Sequence, residues 1–309
     1  MRRPAGAGRL RHRIGAAIRD RALWTPGSRV AVAVSGGLDS VVLLDLLLDT
    51  RAWHGAALSL VTVDHGVREG SSSDADFVED LAAKHALPCT RTALALGSAS
   101  EAGMRDARRA VFDALDVDHV ATAHHRDDQV ETVLLRLLRG SSSAGLAGIR
   151  WTTGRMVRPL LGTSRPEIAD HALERGLAWR EDPTNAALDA ERNRVRHVLV
   201  PALDAVREGS RDAIARTAER LAEDDAALAE LARRSDPGDL WSWDALAAAP
   251  DALVRRWLLV RAPAAGSSDV DAALAAVRRK APATLHDASG DVTEAGIAWG
   301  GSGRAGSRC

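Results

Sequence analysis

Cysteine, lysine and tyrosine are the residue types in shortest supply in this 309-residue chain. Tyrosine is absent, and lysine occurs only at Lys84 and Lys280. The two cysteines, Cys89 and Cys309, stand far apart, and neither belongs to a C-x-x-C pair. This scarcity argues against a cysteine-ligated zinc site, an iron–sulfur site and a disulfide framework.

Long apolar runs are also missing. No hydrophobic segment approaches the length of a membrane span, and no charged-then-apolar leader with a cleavage site opens the chain. Hydrophobic residues make up 46% and charged residues 27% of the chain, which is the balance of a globular protein. We therefore expect a cytoplasmic protein of two or three domains, without a membrane segment.

Positive charge comes almost entirely from arginine and is unevenly placed, although the formal net charge is −1 at pH 7. Between Glu131 and Glu167 the chain has several arginines and no acidic residue. Arginine also dominates the start of the chain, where Asp20 is the single acid before Arg29. An ordinary solvated face is one interpretation of these stretches. A phosphate-rich partner is the other, since arginine presents a planar fork of donors that suits phosphate.

Short apolar runs alternate with helical patterns in the first half of the chain. The runs are RVAVAV at 29–34, ALSLVTVD at 57–64, CTRTALAL at 89–96 and HVATA at 119–123. This alternation predicts an α/β fold with a Rossmann-like parallel sheet covered by helices on both faces. Such sheets bind ligands at the carboxyl ends of their strands. Beyond Arg211, the alanine- and leucine-rich sequence predicts a smaller, mainly helical C-terminal domain.

A glycine-rich hexapeptide lies between the first strand and the helix that follows it. Its residues are Ser35, Gly36, Gly37, Leu38, Asp39 and Ser40. Two glycines let the backbone approach an anion closely, and the following helix start offers unpaired N–H groups. Asp39 is placed to hold a magnesium ion that bridges phosphates. The lysine of a Walker A loop is missing. An alternative is an ordinary turn in which Asp39 or Ser40 caps the helix.

A second polar cluster, HHRDDQVET, covers residues 124–132 after the fourth predicted strand. One interpretation is structural, because Asp128 and Glu131 have the spacing of a capping box. That interpretation explains neither Asp127 nor the paired histidines. The cluster is therefore the second candidate for a functional site.

Both segments resemble those of a known family. SGGLDS after a hydrophobic strand resembles the PP-loop signature of enzymes that split ATP into AMP and pyrophosphate. Residues 121–140 resemble the second signature of the tRNA(Ile)-lysidine synthetase family, and further similar segments follow its order. These are VDHGVR (63–68), EAGMRDARR (101–109), RPLL (158–161), EDPTN (181–185) and RNRVRHVLVPAL (192–203). The chain departs from the family where Arg109 replaces an aromatic residue and where Ser142 and Ile149 replace glycine and methionine.

The resemblance implies a set of site residues. Residues 35–40 and His65 would bind ATP, Asp39 and Asp128 would hold Mg²⁺, and His124 and Asp127 would complete the catalytic group with them. The arginines implied for tRNA binding are Arg105, Arg108, Arg136, Arg139, Arg155, Arg192 and Arg196.

The resemblance also implies a reaction, in which free L-lysine is ligated to the wobble cytidine of a CAU-anticodon isoleucine tRNA through an adenylated intermediate. The lysine amine must lose a proton, from a starting pKa of about 10.4. Asp127, Glu131 and Asp182 are the candidate acceptors, and the sequence does not choose among them. A homodimer is one oligomeric state that we consider, and the sequence does not determine the oligomeric state.

The expected division is a basic N-terminal extension at 1–28, a PP-loop ATP-pyrophosphatase domain at 29–205, a helical tRNA-binding domain at 206–299 and a disordered tail at 300–309. Two other functions stay open. A PP-loop tRNA thiolation enzyme would need catalytic cysteines, a role that neither Cys89 nor Cys309 fits. A non-catalytic ATP-sensing tRNA-binding protein would have no need of Asp39, Asp127 and Asp128.

Overall fold

The chain forms two compact units in the computed structural model, which describes residues 7–64, 71–94, 101–180, 191–262, 265–285 and 288–301. The first unit comprises Met1–Leu135 and Gly148–Arg216. The second comprises Arg136–Ala147 and Thr217–Cys309. The first unit therefore ends at Arg216 rather than at the expected residue 205. The expected tail falls almost entirely outside the described residues.

A six-stranded sheet forms the centre of the first unit, in the order β3-β2-β1-β4-β6-β5. All of its strand pairs are parallel except β5 with β6. The valines Val30 and Val32 of β1 are fully buried between neighbouring strands. The predicted α/β fold with a mostly parallel sheet is thus confirmed. The strands are β1 (Arg29–Ala33), β2 (Ala57–Asp64), β3 (Cys89–Ala93), β4 (His119–Ala121), β5 (Thr152–Thr153) and β6 (Met156–Val157).

Helices precede, connect and follow these strands in the sequence. A π-helical segment, Val195–Leu199, joins α9 to α10. The helices up to that point and just beyond it are α1 (Ala7–Asp20), α2 (Leu38–Asp49), α3 (Arg51–His54), α4 (Ser71–Lys84), α5 (Glu101–Ala114), α6 (Arg126–Leu138), α7 (Ser143–Leu146), α8 (Arg165–Arg175), α9 (Glu191–Arg194) and α10 (Val200–Val206).

The arginine-rich start of the chain is part of the first unit. Leu10, Ile14 and Ile18 recur at the spacing that puts them on one face of α1. All three are buried in the same core as the apolar face of α2. The boundary expected at residue 28 is therefore absent from the structure, because α1 carries arginines on one face and core residues on the other.

The second unit combines helices with an antiparallel sheet of order β7-β10-β9-β8, which the sequence analysis did not predict. Its core surrounds the tryptophans Trp241, Trp257 and Trp299. The elements are α11 (Ser210–Arg234), which begins in the first unit, β7 (Leu240–Ser242), α12 (Trp243–Ala248), α13 (Asp251–Arg261), α14 (Ser267–Arg278), β8 (Ala283–Leu285), β9 (Ala288–Val292) and β10 (Gly296–Gly301). None of the helices in the described residues has the length and apolar character needed to cross a bilayer.

Candidate active site

The glycine-rich loop leads directly into α2. The N-cap residue of this helix is Gly37, and no side chain caps it. The hydroxyl of Ser40 donates to the carbonyl oxygen of Gly37 (2.8 Å), and Asp39 lies in the first turn. The interpretation in which Asp39 or Ser40 caps the helix is therefore wrong. An uncapped helix start leaves its first N–H groups able to bind an anion.

Gly36 has a left-handed backbone conformation, with φ of +83°. Its carbonyl oxygen accepts a hydrogen bond from the backbone N–H of Arg180 (2.9 Å). A Cβ at this position would lie 3.4 Å from Cδ1 of Phe77 and 3.7 Å from Cγ of Arg180. Glycine is required here for its φ, and the loop is held from outside by residue 180.

The two predicted signature segments meet at His125. Its Nε2 lies 3.6 Å from Oδ2 of Asp39 and 3.5 Å from Oδ2 of Asp128. The imidazole is 3% exposed. Burial disfavours its charged form, but the hydrogen bond with Asp39 and the charges of Asp128, Asp39 and Asp127 outweigh burial, so the pKa of His125 is raised. His125 therefore brings the acid of the loop, Asp39, and the acid of α6, Asp128, into one site.

His125 also begins α6. Its backbone N–H donates to Oδ2 of Asp128 (3.0 Å), and the N–H of Asp128 donates back to Nδ1 of His125 (3.4 Å). This reciprocal pair has the form of a capping box with histidine as the first member. The box expected from Asp128 and Glu131 is therefore wrong, since both residues lie inside the helix.

Arginines neutralise the acids on the next turn of α6. Arg192 donates through Nη2 to Asp128 Oδ1 and through Nε to Glu131 Oε2, both at 2.7 Å. Arg196 donates through Nε to Glu131 Oε1 (2.6 Å). Burial raises the pKa of Asp128, but the positive charges of His125, Arg192 and His124 lower it by more than burial raises it. The pKa of Asp128 is therefore below its ordinary value. The structure thus gives Arg192 and Arg196, predicted to bind tRNA, partners within the protein.

Asp127 is satisfied by other elements. Its Oδ2 accepts from the backbone N–H of Arg165 (2.8 Å), and its Oδ1 accepts from Nη1 of Arg211 (2.7 Å). Both carboxylate oxygens are thereby occupied. His124 lies close by, with Nδ1 at 3.0 Å from the hydroxyl of Thr122.

The remaining tRNA-binding candidates are dispersed. Arg155 donates to the carbonyl oxygens of Asp113 (2.8 Å), Leu115 (2.7 Å) and Val117, and so closes the end of α5 against the sheet. Arg136 donates to the carbonyl of Gly145 (2.7 Å). The other candidates are Arg108 on α5 and Arg139 just after α6, with Arg105 on α5 having a side chain outside the described part.

His65 and Asp182 lie outside the described residues. Sequence reasoning missed His125, Arg180 and Arg211. His125 stands beside His124 in the HHRDDQVET segment. The starting residue of α6 would have shown which of these two histidines is the N-cap residue. The other two arginines belong to no motif, and only their contacts single them out.

An open cleft of about 390 Å³ lies beside α6. It combines charged and apolar walls, which are formed by Asp127, Val130, Glu131, Arg165, Pro166, Ala169, Arg196, His197, Val200 and Arg211. Val130 and Val200 are buried parts of the same apolar cluster. The cleft could accept a ligand that is both charged and aliphatic.

One carboxylate oxygen of the site is buried and has no hydrogen-bond partner among the described residues, namely Oδ1 of Asp39. The described residues contain no group of three or more His, Cys, Asp or Glu able to hold a metal on its own. Magnesium is commonly bound by one or two carboxylates together with substrate phosphates. Asp39 beside an uncapped helix start fits that kind of site.

Comparison with known proteins identifies the family of the first unit. Residues 9–203 match the family model described as the PP-loop domain. The chain is 47% identical over 190 residues to the tRNA(Ile)-lysidine synthase of Solibacter usitatus, covering 59% of this chain and 42% of the relative. It is 39% identical over 262 residues to that of Geobacter sulfurreducens, covering 77% and 55%. The chain thus spans about half the length of the curated relatives it matches.

Among solved structures, a U34-tRNA thiolase from Methanococcus maripaludis has a similar fold, with a TM-score of 0.60 and 17% identity over 70% of this chain and 78% of the thiolase. At that identity the likeness concerns the fold alone. The family model, in contrast, covers more than half of the sequence and includes both signature segments. The chain therefore belongs to the PP-loop domain family.

Proposed function

We propose that this protein ligates free L-lysine to the wobble cytidine of an isoleucine tRNA with a CAU anticodon, converting ATP to AMP and pyrophosphate. The observation that carries the proposal is the meeting of the two signature segments, with His125 within 3.6 Å of Asp39 and 3.5 Å of Asp128. The similarity to tRNA(Ile)-lysidine synthases supports the substrates.

The proposed chemistry has two steps. The C2 oxygen of the cytidine attacks the α-phosphate of ATP, and pyrophosphate leaves. The ε-amine of lysine then adds to C2, and the oxygen departs with AMP. The first-turn N–H groups of α2 would stabilise charge on the departing pyrophosphate. Asp39, with Asp128, would hold Mg²⁺, which supplies further neutralisation of phosphate charge.

The cleft beside α6 is a suitable site for lysine. Its apolar wall, which includes Val130 and Ala169, matches the aliphatic side chain of lysine. Arg165 at the same cleft matches an α-carboxylate. Asp127, Glu131 and Asp182 stay the candidates for accepting the amine proton.

The chemistry of Cys89 argues against the thiolation alternative. Burial, together with the nearby charge of Glu79, raises the pKa of this half-buried thiol and so reduces its thiolate fraction. Sulfur transfer requires the thiolate. The homodimer and the cytoplasmic location stay predictions.

Nucleotide products test the proposal. Incubation with ATP, Mg²⁺, tRNA and lysine should give AMP and pyrophosphate on chromatography, and omission of tRNA should abolish them. Ala169→Leu, which narrows the cleft, should raise the KM for lysine while leaving tRNA adenylation intact. ADP and free phosphate as the main products would contradict the proposal.

A further inference from the structure

The phosphate-binding loop has no cation of its own. Within residues 35–40 the only ionisable side chain is Asp39, which is an acid. A departing pyrophosphate carries several negative charges, and backbone N–H groups supply only partial charge to meet them. P-loop proteins meet this demand with a lysine inside the loop. A cationic side chain from elsewhere in this fold would serve the same purpose.

Arg180 is fastened to that loop. Its backbone N–H donates to the carbonyl oxygen of Gly36 (2.9 Å), and its Cγ would lie 3.7 Å from a Cβ at Gly36. The side chain therefore starts on the loop itself. Phe77 adjoins the same glycine, and the guanidinium carbon of Arg180 lies 5.5 Å from the centre of its ring. Phe77 packs in turn against the main core of the first unit.

The guanidinium of Arg180 differs in its partners from the arginines that pair with the acids of α6. Arg192 and Arg196 are paired with Asp128 and Glu131, and Arg211 is paired with Asp127. Within the described ranges, no carboxylate pairs with Arg180, which is exposed. An aromatic ring supports a guanidinium without neutralising its charge. Arg180 therefore presents an exposed guanidinium beside an anion-binding loop.

We propose that Arg180 binds the β- and γ-phosphates of the nucleotide and stabilises the pyrophosphate as it leaves, with Phe77 holding the guanidinium in place. The inference rests on the proposed function only in taking ATP as the nucleotide. It does not depend on which acceptor receives the AMP group. A planar guanidinium can donate two parallel hydrogen bonds to phosphate oxygens.

Binding measurements on the full chain test this role. Isothermal titration with ATP, inorganic pyrophosphate and AMP would compare the wild type with Arg180→Met and Arg180→Lys. Methionine keeps an aliphatic stem against Gly36 and removes the charge, and lysine keeps the charge. Arg180→Met should weaken ATP and pyrophosphate binding by about 10-fold or more, the size of a lost charge-assisted contact, with AMP binding unchanged. Arg180→Lys should recover most of the loss.

Arg175→Met is the matched control, because Arg175 lies on α8 and is already paired with Asp45 (3.1 Å). It should bind all three ligands as the wild type does. Pyrophosphate binding by Arg180→Met at wild-type strength would overturn the inference. So would an equal loss of AMP and pyrophosphate, which would indicate a purely structural role for residue 180. Failure of lysine transfer with intact pyrophosphate binding would contradict the proposed function and leave Arg180 in its role.

Discussion

The carboxylates of the site differ in how far the protein itself satisfies them. Both oxygens of Asp127 accept hydrogen bonds, from Arg165 and Arg211, and both oxygens of Glu131 accept from arginines. Asp39 has one buried oxygen with no partner among the described residues. At the scale of single residues, Asp39 is therefore the acid best placed to bind something that the protein does not contain.

Asp39→Asn should lower turnover by about 100-fold or more, because an amide is a poor substitute for a carboxylate ligand and stabilises less charge in the transition state. Steady-state kinetics of pyrophosphate release would measure the loss. Since Asp39 does not cap α2, thermal denaturation should show nearly unchanged stability. Wild-type turnover in this variant would remove Asp39 from the metal site.

The choice between His124 and His125 shows where sequence reasoning stopped. The motif contains both histidines, and because they are adjacent, the sequence pattern does not show which of them faces the site. In the structure His125 takes the N-cap position of α6, and its ring is buried between Asp39 and Asp128. The catalytic role expected for His124 stays a prediction. The loop glycines and the acids after the buried strands could be singled out from the sequence because they stand at the carboxyl ends of predicted parallel strands. Their roles in binding ATP and Mg²⁺ stay predictions.

Two helix starts are joined by a crossed pair of ion pairs. The dipeptide Arg126–Asp127 opens α6, and Arg211–Asp212 lies in the first turn of α11. Arg211 pairs with Asp127, and Arg126 pairs with Asp212. The side chain of Asp127 is 10% exposed and that of Asp212 is 45% exposed. The two pairs should therefore differ in their contribution to stability.

Arg211→Ala should lower the free energy of unfolding by about 2 kcal/mol, less than the roughly 3 to 5 kcal/mol of a fully buried pair because Arg211 is partly exposed. Asp212→Ala breaks the exposed pair and should change it by at most about 0.5 kcal/mol. Urea denaturation of both variants measures the difference. Equal effects would show that burial of Asp127 does not govern the strength of this connection.

Helices α1 and α8 are connected through Glu167, which accepts from Arg13 (2.7 Å) and closes a capping box with Ser164. Burial raises the pKa of Glu167, but the hydrogen bonds from Arg13 and Ser164 outweigh it and lower the pKa from 4.5 to about 2. A lowered folded-state pKa contributes stability above the unfolded value and loses it as pH falls.

The free energy of unfolding should therefore decrease as pH falls from 4.5 towards 2, and Glu167→Gln should flatten that part of the curve. This loss of stability should be modest, because Arg13 and Glu167 are both partly exposed. It should be smaller still in about 1 M salt, which screens exposed ion pairs. Denaturation across this pH range gives the slope. An identical slope in Glu167→Gln would contradict the assignment.

The elements that sequence reasoning missed share a physical cause. The sheet of the second unit consists of short strands, and β10 contains glycines that weaken strand propensity. Gly296 is needed there by packing, since a Cβ would overlap the carbonyl oxygen of Trp241. The parallel sheet of the first unit was predictable because its buried strands form continuous apolar runs.

For the whole molecule, the acid-free stretch 132–166 is the best remaining candidate for contact with RNA phosphates. Arg155 is excluded from this test because its guanidinium donates to three carbonyl oxygens and holds the end of α5. Arg136 donates to the carbonyl of Gly145 and is tested together with Arg139. Arg136→Ala with Arg139→Ala should weaken tRNA binding and reduce its salt slope by roughly 0.7 to 0.9 for each lost phosphate contact. Lysine at both positions should keep most of the slope.

Filter binding across a salt series measures this, with ATP titration of the same proteins as the reference. ATP affinity should stay unchanged. A wild-type salt slope in the alanine variant would return the stretch to an ordinary solvated face.

The transfer of lysine to tRNA is the central claim, and the mass of the product tests it most directly. Isoleucine tRNA with a CAU anticodon, incubated with the protein, ATP, Mg²⁺ and isotopically labelled lysine, would be digested and analysed by mass spectrometry. The account predicts that the wobble cytidine gains the mass of one labelled lysine less one water, with no gain when ATP is omitted. An unmodified cytidine, or a nucleoside that has gained sulfur instead, would contradict it.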